Sequence, residues 1–274
     1  MPFGSGPRVC PGRSLALAEC RVVLVPGPEL DPASLAHERN TTSACCGILE
    51  SLRMGPFDAT RVLALLAAMC TTTALAGQQD EGLALDVHRW RLVESESGDI
   101  NYYTVVDAKD RSYIHAAYKP PWESAVFGYE ISERARSWAR RLRWSWRAVA
   151  LPRDGDECVS GYHDSAATVY VTWKRGLRWY ALKYVWSTKA AKDAICDRKR
   201  NPFLAQEVIV LETGGPTGVW KTEEIDLDAE FRKHFADGDP KASVPDLRGV
   251  AVMSDGDSTH SESSADFADF ILLK

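Results

Sequence analysis

Arg141-Leu142-Arg143-Trp144-Ser145-Trp146-Arg147-Ala148 alternates without a break. A strand sends successive side chains to opposite faces, so Leu142, Trp144, Trp146 and Ala148 share one face. Arg141, Arg143, Ser145 and Arg147 share the other. Such a segment is a strand with one covered face. Working outward, further period-two segments lie at 83–93, 101–106, 112–118, 125–131, 166–174, 177–187, 207–212, 219–225, 249–253 and 266–273, with turn signals between them. Arg175-Gly176 predicts a tight hairpin between two aromatic strands, and Gly214-Gly215-Pro216-Thr217-Gly218 the turn of another. The polar segment 189–201 reads as a long loop. Residues 228–235 read as one short helix, which Asp226 or Asp228 can cap and on which Leu227, Phe231 and Phe235 share a face. Many strands with so little helix exclude a doubly wound parallel sheet. They predict an all-β fold: two packed antiparallel sheets in a jelly-roll-like sandwich.

Composition sets where that core begins. All nine Trp and all nine Tyr lie beyond residue 89. Downstream of residue 76, 27 Lys+Arg face 32 Asp+Glu, a mild acidic excess. Such a domain has no general field to attract nucleic acid or anionic lipid, and no nucleic-acid partner is expected. Of seven cysteines, Cys158 and Cys196 alone follow residue 77. In an exported domain a lone pair reads as one disulfide.

Export is read from residues 54–76. Arg61 closes a short polar start, Val62 to Cys70 is apolar, and Ala74-Leu75-Ala76 ends the segment. That is the three-part secretory signal, with cleavage expected before Gly77 and a periplasmic or secreted product. The apolar run is too short to span a bilayer as a helix, so no membrane span is expected. Upstream, Phe3-Gly4-Ser5-Gly6-Pro7-Arg8-Val9-Cys10-Pro11-Gly12 with Leu15 to Glu19 resembles the haem-ligand loop of cytochromes P-four-fifty. The resemblance covers residues 3–24 and implies a thiolate haem ligand at Cys10. In that family the loop follows several hundred residues that build the pocket, and none precede it here. Residues 1–53 are therefore expected to be a non-native, disordered remnant, and haem is not expected. The working domain is 77–274.

A second resemblance covers the body of the chain. Its residues are Trp144-Ser145-Trp146-Arg147, His163-Asp164-Ser165-Ala166-Ala167, Leu182-Lys183-Tyr184-Val185-Trp186-Ser187, Gly249 to Thr259 and Ala268-Asp269-Phe270. Over roughly 85–273 the chain resembles a bacterial exported family known as domain of unknown function 3047. The resemblance implies a galactose-binding-like sandwich and no particular activity. His163 departs from it, standing where a second acid beside Asp164 is expected.

Three constellations carry chemistry. Asp255-Gly256-Asp257-Ser258-Thr259 after an apolar strand resembles the opening of a haloacid-dehalogenase phosphotransferase. The 15 residues that follow Thr259 cannot supply that α/β body. Asp255 and Asp257, with Glu262, offer hard oxygens to a structural Ca²⁺; an Asp/Ser turn bonding its own backbone is the simpler reading. Asp164 is expected to pair with Arg143 and Arg147 on one sheet face, or with His163 to line a site for sugar hydroxyls. Trp173, Trp179 and Trp186, with Tyr180 and Tyr184, read as core, with Trp179 the candidate for stacking on a sugar. Without a visible nucleophile–base pair or metal triad, the sequence favours a non-catalytic module binding a glycan or other polyhydroxylated envelope ligand. A hydrolase or lyase on such a ligand and a structural envelope protein are the alternatives.

Overall fold

The computed structural model describes residues 82–93 and 101–274; the expected remnant and signal segment lie outside the described residues. Thirteen strands build two sheets among them. The first contains β1 (Leu83–Ala84), β3 (Tyr103–Asp107), β4 (Ser112–Tyr118), β6 (Arg141–Ala150), β11 (Lys221–Asp226) and β13 (Ser263–Leu273). Its order is β11-β6-β13-β4-β3, with β1 also on β13. The second contains β2 (Arg91–Leu92), β5 (Phe127–Glu130), β7 (Ser165–Arg175), β8 (Arg178–Ser187), β9 (Ile195–Arg200), β10 (Leu204–Thr213) and β12 (Asp246–Met253), in the order β2-β5-β12-β7-β8-β10-β9. The chain is an all-β, jelly-roll-like sandwich.

The alternation in β6 resolves as expected. Leu142, Trp144, Trp146 and Ala148 are fully buried, and Arg143 and Arg147 face outward. The tryptophans meet the other sheet across the core: Trp144 lies 5.7 Å from the Tyr184 ring and Trp146 5.9 Å from Trp186. The expected hairpin forms at Arg175-Gly176, with Arg175 paired to Arg178 and Gly176 at φ +58°. The helix forms too. In α2 (Leu227–Phe235), the Asp226 carboxylate accepts the Ala229 N–H at 2.8 Å, and Phe231 packs on Trp173 and Tyr180. A shorter helix, α1 (Glu133–Arg136), precedes β6.

Four expectations are corrected. Segment 83–93 is not one strand: a 3-10 turn at Val87–Arg89 separates β1 from β2, which join different sheets. The glycine-rich stretch 214–218 does not close a hairpin; it carries the chain from β10 in one sheet to β11 in the other. The polar segment 189–201 is not all loop, because β9 lies within it as an edge strand. Its charged side chains suit a strand with one unpaired side. Finally, β8 and β10 pair in parallel, so the second sheet is mixed. Period two tells which face a side chain takes but not which strand lies alongside.

Candidate functional site

β12 runs antiparallel to β7, with Val252 opposite Val169 and Met253 opposite Thr168. The end of β12 therefore meets the start of β7, and the Asp255 N–H donates to the Ser165 carbonyl at 3.0 Å. This register brings Asp164, just before β7, to the turn that holds Asp255 and Asp257. One carboxylate oxygen from each of the three lies within 4.8 Å of the others. The turn is tight because Gly256 allows it. A Cβ there would strike the Ser261 carbonyl oxygen and approach the Tyr118 ring to 3.0 Å.

The three acids differ in access. Asp164 is 0% exposed, and its two oxygens accept the Ser258 and Thr259 N–H groups at 3.1 and 2.7 Å. Asp255 is 3% exposed and Asp257 is half-buried. The Ser124 hydroxyl bonds to Asp255 and lies 3.4 Å from Asp257. Burial, then the charges of Asp257 and Asp164, hold the Asp255 carboxyl well above its ordinary value. Asp257 is raised as well, by burial and then by Asp164. Lys183 is the buried cation that opposes this. Its own burial would lower its pKa, but Glu157, Tyr170 and Asp255 raise it beyond that. Its direct carboxylate contact is Glu157, at 3.6 Å.

A group of aromatic rings packs against the Gly256 turn through Tyr118. Trp122, two residues before Ser124, is 41% exposed and lies 6.3 Å from Tyr102 with rings nearly parallel, at 7°. Tyr118 donates its hydroxyl to the Trp122 carbonyl at 2.6 Å and meets Tyr102 edge-on at 5.6 Å. An exposed indole is thus held flat against a buried ring, on the segment that carries Ser124 to the acids. Sequence reading passed over Trp122 and Ser124. The sole local signal was a Trp straight after two prolines.

The other candidates are dispersed. The expected pairing of Asp164 with Arg143 and Arg147 does not form, because the arginines project from the first sheet while Asp164 enters the second. Arg147 bonds Asp266, whose other oxygen meets His115 Nδ1 at 2.6 Å. Arg143 bonds the Glu224 carboxylate at 2.7 Å. His163 Nδ1 lies 3.0 Å from the Glu157 carbonyl. Trp179 is 5% exposed, with Lys174 Nζ 4.6 Å from its ring centroid, and presents no free face to a sugar. Trp173, Trp186, Tyr180 and Tyr184 are core. Glu262 is exposed and is not in the acid group, where Asp164 stands instead. Cys158 and Cys196 are disulfide-bonded with Cα atoms 5.2 Å apart, tying the segment before Asp164 to β9.

Two packed sheets with a polar site at one end define a class, the β-sandwich domain with a loop-built site. The family follows from the sequence: residues 88–271 match the model of the family described as "Protein of unknown function (DUF3047)", and the chain belongs to it. No curated protein matches. Among solved structures, the chain is similar to the xyloglucanase domain of NopAA, a type three effector from Sinorhizobium fredii, in complex with cellobiose. Identity is 9%, coverage 70% of this chain and 98% of that one, and the TM-score 0.40. It is also similar to the family 11 xylanase of Neocallimastix patriciarum (11% identity, 70% and 94% coverage, TM-score 0.35). A third is endoglucanase 3 of Trichoderma harzianum, from family GH12 (8% identity, 71% and 97% coverage, TM-score 0.35).

Proposed function

We propose that this is an exported, non-catalytic binding module for a glycan or other polyhydroxylated ligand of the cell envelope, with a divalent cation held by Asp164, Asp255 and Asp257. The observation that carries this reading is three carboxylates with oxygens within 4.8 Å, two of them buried, joined through the Ser124–Asp255 hydrogen bond to the segment that carries the partly exposed Trp122. Like charges desolvated together raise one another's pKa, and a cation among them reverses that penalty. The donor set is hard oxygen without imidazole or thiolate, which suits Ca²⁺. A cation at such a site can accept a pair of sugar hydroxyls while Trp122 stacks on the apolar face of the ring.

The hydrolase alternative fits less well. A glycosidase acid must reach the leaving oxygen and its partner the sugar ring. Asp164 is wholly buried with both oxygens accepting backbone N–H groups, and Asp255 is nearly as enclosed. Asp257 alone among the three is partly open. The test is a glycan array probed in Ca²⁺ and in chelator. The expected result is selective binding that chelator abolishes and Trp122→Ala weakens. Release of reducing ends from a bound glycan would overturn the non-catalytic reading. Absence of binding under both conditions would overturn the glycan reading.

A further inference from the structure

The far end of β7 presents a different surface. Leu177, in the β7–β8 turn, is 78% exposed, and Phe203, in the β9–β10 turn, is 65% exposed. No other large apolar side chain among the described residues reaches either value. The two turns lie side by side: the Trp179 N–H donates to the Phe203 carbonyl at 2.8 Å, and Trp179 pairs with Leu204. Lys174, Arg175 and Arg178 flank Leu177 in sequence, and Asp246 stands opposite Lys174 in the β12–β7 pair. Among the described residues none of the three makes a salt bridge, whereas Arg141, Arg143 and Arg147 all do. Lys174 and Arg178 instead lie 4.6 and 5.3 Å from the ring centroids of Trp179 and Tyr180, and Arg175 bonds Ser243 at 3.0 Å. The cations are held at the tip without a direct carboxylate contact, and Asp246 opposite Lys174 offsets part of their charge.

We propose that this end docks on an anionic lipid bilayer, with Leu177 and Phe203 entering the interface and Lys174, Arg175 and Arg178 meeting lipid phosphates. Two adjacent apolar tips with three cations beside them that lack a direct carboxylate contact are complementary to a surface that is negative outside and apolar beneath. The chain's formal net charge of −5 supplies no long-range attraction, so the contact is local and salt-sensitive. β7 is 11 residues long, so the carboxylate site stands about 33 Å from the docked tip and stays open to solution.

Sedimentation with sucrose-loaded vesicles tests this. The protein should pellet with 1:1 phosphatidylglycerol/phosphatidylcholine vesicles. It should bind about tenfold more weakly to pure phosphatidylcholine, and likewise in 0.5 M NaCl. Leu177→Ser with Phe203→Ser should also weaken binding about tenfold or more, with an unchanged thermal melt because both side chains are solvated in the fold. No pelleting with the anionic vesicles, or full binding by the double variant, would overturn the proposal. So would sedimentation velocity showing a lipid-free dimer that the double variant dissociates, since that would assign the tips to a second copy of this chain.

Discussion

Buried carboxylates in the two sheets and those at the β12–β7 junction have their charge balanced in opposite ways. On the outer face of the first sheet, Asp266 is buried between the Arg147 guanidinium at 2.6 Å and His115. Arg147 in turn lies 4.7 Å from the Trp220 ring. In the second sheet, Glu207 is buried against Arg200 and His234. Each acid there arrives with its cation. At the β12–β7 junction three acids meet one another instead, and Lys183, the nearest buried cation, has its contact with Glu157. Among the described residues the other buried acids are paired with bases, and this contrast is what the proposed cation site rests on. Burial alone does not separate structural charge from functional charge; the sign of the neighbours does.

The comparison breaks if removing Asp266 costs little. Asp266→Ala leaves Arg147 and His115 without their shared acceptor and should destabilise the fold by about 3–5 kcal/mol in a urea titration. Loss below 1 kcal/mol would show that this pair is no more structural than a surface contact. Next in size, Cys158→Ser with Cys196→Ser should cost about 2–4 kcal/mol, since the bridge closes a separation of 38 residues. The same variant should weaken Ca²⁺ binding, because Asp164 ends the segment that the bridge ties down.

Asp255→Asn should act with the opposite sign. The raised pKa of Asp255 means that the folded chain holds that proton more tightly than the unfolded chain. Its contribution is fully present below the ordinary value of 3.8 and is lost as pH rises through the raised one. In chelator, the wild type should therefore lose stability relative to Asp255→Asn as pH climbs from about 4 towards neutrality. At pH 7 the variant should melt a few degrees higher, and Ca²⁺ should not raise it further. Parallel pH profiles for the two proteins would sink the like-charge account. The smallest effect is expected at Glu224→Gln, which removes one shared acceptor of Arg141 and Arg143 on a partly exposed face, at about 0.2–1 kcal/mol.

The first sheet was legible because its strands alternate between a covered and an open face, whereas β7, β8 and β10 are buried on both faces. Alternation around Trp144 and Trp146 identified the buried side, and Arg175-Gly176 and Asp226 marked a turn and a cap that both formed. What the residues did not carry is pairing across distance. Nothing local to 195–200 tells that this polar run closes the edge of a sheet beside β10. Nothing local to Gly214 tells that the chain changes sheets there. The acid site has the same history. Asp255 and Asp257 were visible as hard ligands, but Glu262, close in sequence, stood in for Asp164, which the β7–β12 register delivers from far along the chain. Asp164 was in turn assigned to Arg143 and Arg147, a pairing that needed both to lie in one sheet.

Calorimetric titration of the chelator-treated protein with Ca²⁺ at neutral pH tests the central claim most directly. One ion should bind per chain, with binding lost in Asp164→Asn and in Asp257→Asn while both variants remain folded. No heat of binding, or an affinity the two substitutions leave unchanged, would contradict it.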